Sequence, residues 1–181
     1  FKCLCDQKAS GIVKQERFKL ELLMNQAGIA PGDREVEKKA AACSEAIDGA
    51  PAAAIELADG SIVTGKTGPL LGAASSVLLN ALKKLAGIDH ELPLISPSAL
   101  EPIQKLKTMY FGSRNPRLHT DETLIALSIS ASTNPAAQKA LDAMPKLRDC
   151  QLHCSNRLSK VDLVTLRKLG LQVTMEPVHE R

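Results

Sequence analysis

The feature that most constrains the fold is a change in apolar spacing within residues 52–85. Two short β-prone runs, residues 52–57 and 61–64, flank Asp59-Gly60. Asp-Gly between two such runs favours a tight turn and predicts a β-hairpin. Beyond it, apolar residues recur every three or four positions, at Leu70, Ala74, Val77, Leu78, Ala81, Leu82 and Leu85. This wide stripe predicts a central, mostly buried helix.

Helix and strand patterns continue to alternate along the chain. Strands are predicted over residues 92–96, 150–154 and 171–175, and helices over residues 98–109, 120–129, 134–144 and 159–169. Ser98 and Glu101 have the spacing of a capping box for the first of these helices. Alternating strands and helices predict an α/β domain, a three-layer α-β-α sandwich whose mixed sheet opens with the antiparallel hairpin.

A short helical segment precedes the sheet. Phe18, Leu22, Leu23 and Ala27 have helical spacing, and a second helical repeat follows before Gly49. We therefore divide the chain into a helical N-terminal segment, residues 1–49, and an α/β domain, residues 50–181. Because the chain opens with Phe rather than Met, we expect it to be a fragment of a larger protein.

Composition excludes several classes of protein. Hydrophobic residues make up 44% and charged residues 24% of the chain, as in globular proteins. The net charge is only +3 and aromatic residues are 2% of the chain, which does not favour nucleic-acid binding. No apolar run approaches the about 20 residues that span a bilayer, and no signal peptide is visible. We expect a soluble, cytoplasmic protein without membrane contact.

The cysteines predict neither a disulfide framework nor a metal site. The chain has five of them, an odd number. Cys150, His153 and Cys154 are zinc-ligand types close together, but no second pair of ligands stands at a useful spacing elsewhere. We therefore expect no metal and no other cofactor.

Residues 60–67, GSIVTGKT, match the P-loop pattern G-x-x-x-x-G-K-[ST]. A P-loop leaves a strand at its first glycine, whereas Gly60 belongs to the predicted hairpin turn. A nucleotide-binding P-loop is therefore disfavoured. Lys66 and Thr67 still precede a predicted helix N-terminus, where an anion would be stabilised, and we regard them as candidate ligand-binding residues.

Several long runs resemble a known family. They are AAIELADGSIVTGKTGPLLGAASSVLLNALKKLAGI, LISPSALEPI, NPRLHTDETLIALSISASTNPAAQKAL and PKLRDCQ. Together they closely resemble the bacterial domain-of-unknown-function family numbered 1846, an uncharacterised protein family. The resemblance implies the C-terminal third of a longer cytoplasmic protein, a homo-oligomer with no established activity.

The resemblance also implies a cytidine-deaminase-like fold. Such deaminases carry a hairpin, a Thr-Gly, and then a helix bearing a zinc ligand and a catalytic Glu. Thr64-Gly65 is present, but the following helix begins Ala73-Ala74-Ser75. In the second zinc element, Pro-Cys-x-x-Cys, the thiolate positions are occupied by Ser98 and Glu101. Zinc deamination needs a metal-bound water and a carboxylate, so the resemblance implies a fold without that chemistry.

Polar groups concentrate in residues 114–122. Arg114 and Arg117 could bind a phosphate or carboxylate, and His119 with Asp121 and Glu122 could move protons. The simpler interpretation is that the two carboxylates stabilise a helix start and that His119 satisfies a nearby carbonyl.

Three functions are carried forward. The leading one is a zinc-free deaminase-like domain that serves as a ligand-binding or oligomerisation module, with a small anionic ligand. The alternative is part of a metal-independent enzyme acting on a phosphorylated or nucleotide-like small molecule. Its site would use Lys66, Arg114, His119 and Glu122 and would be completed by the missing N-terminal region. The third is a P-loop nucleotide binder.

Overall fold

The computed structural model describes residues 14–30 and 32–177. The strands are β1 (Ala52–Glu56), β2 (Ile62–Lys66), β3 (Gln151–Cys154) and β4 (Gln172–Met175). The α-helices are α1 (Lys14–Gln26), α2 (Glu35–Glu45), α3 (Ala73–Ala86), α4 (Pro97–Lys105), α5 (Thr120–Ala131), α6 (Pro135–Asp142) and α7 (Lys160–Lys168). A π-helix, Leu106–Tyr110, extends α4, and a 3₁₀ helix, Met144–Leu147, follows α6. Within the described ranges, no helix has the length and apolar character needed to cross a membrane.

The predicted hairpin is present. Ala54 pairs with Thr64 in an antiparallel ladder, and the Leu57 N–H donates to the Ser61 carbonyl at 2.9 Å. Gly60 adopts a φ of +77°, a left-handed conformation that other residues adopt only at a cost. The turn chemistry of Asp-Gly therefore sets the register of the first two strands.

The hairpin is incompatible with a P-loop over residues 60–67. Residues 62–66, the middle of the GSIVTGKT match, are the extended strand β2 and cannot curl into a phosphate cradle. The structure contradicts the P-loop interpretation.

The sheet is mixed, in the order β2-β1-β3-β4. β1 is antiparallel to both of its neighbours, while β3 and β4 are parallel. The connection between those parallel strands runs through α7. The coarse prediction of an α/β domain with a mixed sheet and an opening hairpin is confirmed.

Helices cover both faces of the sheet because successive side chains of a strand point to opposite sides. Ala53 and Ile55 belong to the main core beneath α3. Ala54 faces the other way and packs with Val36 and Ala40 of α2. The core is aliphatic, and the largest of the fully buried side chains of α3 are those of Val77, Leu78 and Leu82.

Arg34 links α2 to the sheet on the face opposite α3. Its guanidinium donates to Gln151 Oε1 at 2.9 Å and to Thr174 Oγ1, and it pairs with Glu37 Oε1 at 2.7 Å. One side chain thus links the start of α2 to both β3 and β4.

The predicted strand over residues 92–96 is wrong. This segment is a loop, although Leu94 and Ile95 are buried. Pro93 and Pro97 bracket the run and cannot donate to a ladder, so the apolar residues pack without pairing. The capping box is also wrong, because α4 begins at Pro97 and the Ser98 hydroxyl instead lies 2.9 Å from that of Ser96.

Because side chains alternate along β3, the possible zinc ligands His153 and Cys154 lie on opposite faces of the sheet. Cys154 lies on the face covered by α3, where burial raises the pKa of its thiol. His153 lies on the opposite face, with Nδ1 at 2.9 Å from Thr174 Oγ1. Within the described ranges, no three His, Cys, Asp or Glu side chains cluster closely enough to hold a metal ion.

Candidate functional site

A cavity of about 370 Å³ lies where three helices begin. Residues 72–75 of the α3 start, His119 at the α5 start and Ser159 at the α7 start all line it. Each helix N-terminus carries a partial positive charge and unsatisfied backbone N–H groups. The starts of three helices, each the positive end of a helix dipole, therefore lie at this cavity.

The α3 terminus is open to this cavity. Gly72 is its N-cap residue, in an extended conformation, and no side chain caps it. Ala73 and Ala74 follow on the cavity wall and carry no polar side chain that could accept from the first-turn N–H groups. These groups are placed to donate to an anion in the cavity.

A single carboxylate holds the other two helix starts together. Asp162 Oδ1 accepts from the Thr120 N–H at 2.8 Å, and its Oδ2 accepts from the Ser159 hydroxyl at 2.6 Å. The same Oδ2 lies 2.9 Å from His119 Nδ1. Asp162 therefore stabilises the N-termini of both α5 and α7, and it orients the imidazole.

His119 and Asp162 form an ion pair. The hydrogen bond to Asp162 raises the pKa of His119 above its ordinary value. Burial alone would raise the pKa of Asp162, but hydrogen bonds from His119 and Ser159 offset it and bring that pKa below its ordinary value. Asp162 engages Nδ1 and so fixes the orientation of an imidazole that lines the cavity.

Ser159 is arranged as an orienting group rather than as a nucleophile. Its hydroxyl donates to Asp162 and accepts from the Asp162 N–H at 3.1 Å. The distance from Oγ to His119 Nδ1 is longer, 3.4 Å. An activated serine would donate to the histidine, so the geometry favours acid–base chemistry at His119 over attack by Ser159.

A buried lysine supports the loop that carries His119. Lys107 lies in the π-helix, and its Nζ donates to the Arg117 carbonyl at 2.7 Å and to Glu122 Oε2 at 2.8 Å. Glu122 Oε2 also accepts from the His119 N–H at 2.8 Å. Glu122 thus holds the backbone of His119 and is not among the residues that line the cavity.

The charges around the cavity favour an anion. Arg117, Arg157 and His119 line it, and Asp162 is the one carboxylate among its described lining residues. The Arg117 Nε donates to the Gly68 carbonyl at 3.0 Å, which holds this side chain beside the α3 start.

The structure brings together only some of the residues that the sequence singled out. Thr67, Arg117 and His119 line the cavity. Lys66 and Arg114 are exposed and lie outside it.

Asp121 does not meet the His119 ring. Its Oδ1 accepts from the Glu122 N–H at 2.9 Å at the start of α5. The carboxylate that reaches His119 comes instead from α7.

Sequence reasoning missed the part of the site that α7 and its preceding loop supply. Asn156, Arg157, Ser159 and Asp162 all line the cavity. The Ser159-x-x-Asp162 spacing is a capping pattern, and it could have marked this helix start. Nothing in the sequence relates it to His119, about 40 residues earlier.

The ion pair predicts a bell-shaped dependence of stability on pH. Because the pKa of His119 is raised in the folded state, its contribution to the free energy of unfolding is complete below pH 6.5, the ordinary pKa of histidine. That contribution is lost as the pH rises through the raised pKa. The contribution of Asp162 to the free energy of unfolding is complete above pH 3.8, the ordinary pKa of aspartate. It is lost as the pH falls through the lowered pKa. We expect His119→Gln to flatten the alkaline side of the profile in urea unfolding. Substitution of the exposed His90 should leave that side unchanged, and an unchanged profile in His119→Gln would contradict the ion pair.

The fold is that of an α/β domain with a mixed sheet and a cavity lined by the starts of three helices. The family described as domain of unknown function DUF1846, C-terminal, matches residues 32–181. The chain belongs to this family, as the resemblance predicted.

Bacterial relatives extend the match to the whole chain. It is 49% identical over 181 residues to the UPF0371 protein of Corynebacterium aurimucosum and 48% identical over 181 residues to that of Corynebacterium glutamicum. It is also 45% identical over 180 residues to the UPF0371 protein of Streptococcus sanguinis. These alignments cover 99–100% of this chain but only 36% of each relative. The chain therefore spans about a third of the length of these relatives.

Proposed function

We propose that this domain binds a small anionic molecule, of the phosphorylated class, in the cavity where α3, α5 and α7 begin. The observation that carries the proposal is the uncapped N-terminus of α3 on the cavity wall, beside Arg117 and Arg157. Backbone N–H groups at a helix start bind phosphate oxygens well, and arginine adds charge and paired donors. A volume of about 370 Å³ lies in the range of small-molecule sites.

The cavity also fits a zinc-free, deaminase-like domain. In the proposed comparison with cytidine deaminases, the helix after the hairpin carries the zinc ligand and the catalytic Glu. Here that helix is α3, and its first residues, Ala73, Ala74 and Ser75, line the cavity. The Ser75 hydroxyl donates to the Leu118 carbonyl at 3.1 Å. In the comparison that we propose, small side chains and backbone donors take the positions of the zinc ligands, which supports the binding of an anion there.

The second zinc element departs further from the deaminase pattern. Pro97 and Ser98 open α4 after a loop, and neither lines the cavity. The proposed likeness to deaminases therefore rests on the hairpin, the sheet and α3.

A second candidate is metal-independent acid–base catalysis on the same ligand. The specific observation is the His119–Asp162 pair, in which the carboxylate fixes Nδ1 and raises the histidine pKa. Such a histidine can donate a proton to, or accept one from, a substrate held at the α3 start. In this proposal, the portion of the full-length protein outside this chain completes the site.

The test is thermal melting with a panel of phosphate esters, nucleotides and matched carboxylates. A ligand at about 100 times its Kd stabilises by about 2.7 kcal/mol, so a bound phosphate ester should raise the Tm measurably. Arg117→Gln should lose most of that shift relative to its own unliganded Tm. Arg114→Gln, the matched change at an exposed arginine outside the cavity, should keep it.

Two results would decide against the proposal. An equal loss of the shift in Arg114→Gln and Arg117→Gln would place the ligand elsewhere, and no shift with any anion would remove the binding function. For the second candidate, the full-length relative carrying the change equivalent to His119→Gln should still bind the ligand but no longer convert it. Undiminished conversion in that variant would rule out the second candidate, and ligand binding would remain as the proposed function.

A further inference from the structure

Helix α1 carries large apolar side chains that the domain does not cover. Phe18 is 67% exposed and Leu22, one turn later, is 49% exposed; Leu23 is exposed as well. Within the described ranges, no other helix or strand makes extensive contact with α1. The sequence predicts an amphipathic helix here, and the helix forms, but Phe18, Leu22 and Leu23 remain exposed at its surface.

An uncovered helix of this length is not stable by itself. Isolated helices shorter than about 12–15 residues are marginal in water, and most helices in proteins are stabilised by burial of an apolar face. α1 has 13 residues. Its stability therefore requires a surface on which Phe18 and Leu22 are buried.

The comparisons indicate where that surface belongs. The C-terminal-domain family matches residues 32–181 and so begins after α1. The full-length relatives align over all 181 residues, α1 included, and this chain covers only 36% of their length. α1 is therefore common to the full-length proteins but lies outside their C-terminal domain.

We propose that α1 docks, through Phe18 and Leu22, on the part of the full-length polypeptide that lies outside these 181 residues. The docking surface is an apolar groove that accepts one aromatic and one aliphatic side chain from adjacent helical turns. This interface is independent of the anion-binding cavity, and it joins the C-terminal domain to the rest of the protein.

Hydrogen exchange tests the proposal directly. The amides of the helix aligned with α1 are compared between the full-length Corynebacterium aurimucosum protein and this 181-residue chain. We expect exchange at least about tenfold slower in the full-length protein, at every protein concentration. Equal rates would overturn the proposal. So would protection that grows with protein concentration, since a second copy would then be the partner, or strong protection already present in the 181-residue chain.

A pair of variants keeps the test specific. In the full-length protein, serine at the positions aligned with Phe18 and Leu22 should lower Tm by several degrees and speed α1 exchange. Serine at the position aligned with Val164, an exposed apolar residue of α7, should do neither. In the 181-residue chain, Phe18→Ser with Leu22→Ser should leave Tm unchanged, because these side chains already face solvent. If the full-length double variant does not fold, the exchange comparison of the two unmodified proteins still decides the question.

Discussion

Gly65→Ala should strongly lower the free energy of unfolding, because the β2 backbone lies directly against α3 at this residue. A Cβ added to Gly65 would lie 2.2 Å from the Val77 backbone nitrogen and 2.5 Å from its Cα. Real Cβ atoms do not approach backbone this closely, so strand and helix must separate and open the core. We expect a loss of about 3 kcal/mol or more from the free energy of unfolding, a large fraction of the stability of a domain this size.

Gly68→Ala is the matched control for this prediction. No atom lies within 4 Å of a Cβ built on Gly68, and its φ is not in the left-handed region. Urea unfolding should place Gly68→Ala within about 0.5 kcal/mol of the unmodified protein. If Gly65→Ala is equally mild, the close packing of β2 on α3 is wrong.

Asp162→Ala has the second largest expected effect. The change removes the acceptor of the Thr120 N–H, of the Ser159 hydroxyl and of His119 Nδ1 at a largely buried position. Leaving buried donors unpaired costs about 1–3 kcal/mol, and more where a charged partner is involved. We expect a loss of about 2–4 kcal/mol, measured by urea unfolding near neutral pH.

Two further variants separate the roles of this carboxylate. Asp121→Ala removes a carboxylate from the first turn of α5 that accepts from the adjacent Glu122 N–H, and it should cost well under half as much. Asp162→Asn keeps one carbonyl acceptor and should be intermediate. In Asp162→Asn, NMR titration should show the pKa of His119 moving down towards its ordinary value. A histidine titration unchanged by this substitution would contradict the ion pair.

Local signals account for what the sequence predicted correctly. The Asp59-Gly60 turn and the apolar spacing after Pro69 are properties of contiguous residues, and both the hairpin and α3 form as expected. Gly87 ends α3 in a left-handed conformation. The family resemblance was equally local, because it rested on unbroken runs of residues.

The errors have one local and one tertiary cause. Leu94 and Ile95 have the apolar character of a buried strand, and they are buried, but the flanking prolines leave them in a loop. His119 stands two residues before Asp121, which suggested that pair. A residue at the N-cap position, however, projects towards whatever packs on the helix start. That neighbour is α7, and its Asp162 could be assigned only from the fold.

The exposed end of the π-helix has a practical optical consequence. The chain contains no Trp and a single Tyr, and Tyr110 is 72% exposed at the surface. Intrinsic fluorescence will therefore report almost nothing when the aliphatic core melts, and unfolding has to be followed by far-ultraviolet circular dichroism. Because Tyr110 is the single tyrosine and the chain has no Trp, its emission reports on one position. A change in that emission on mixing with another molecule indicates contact near Tyr110.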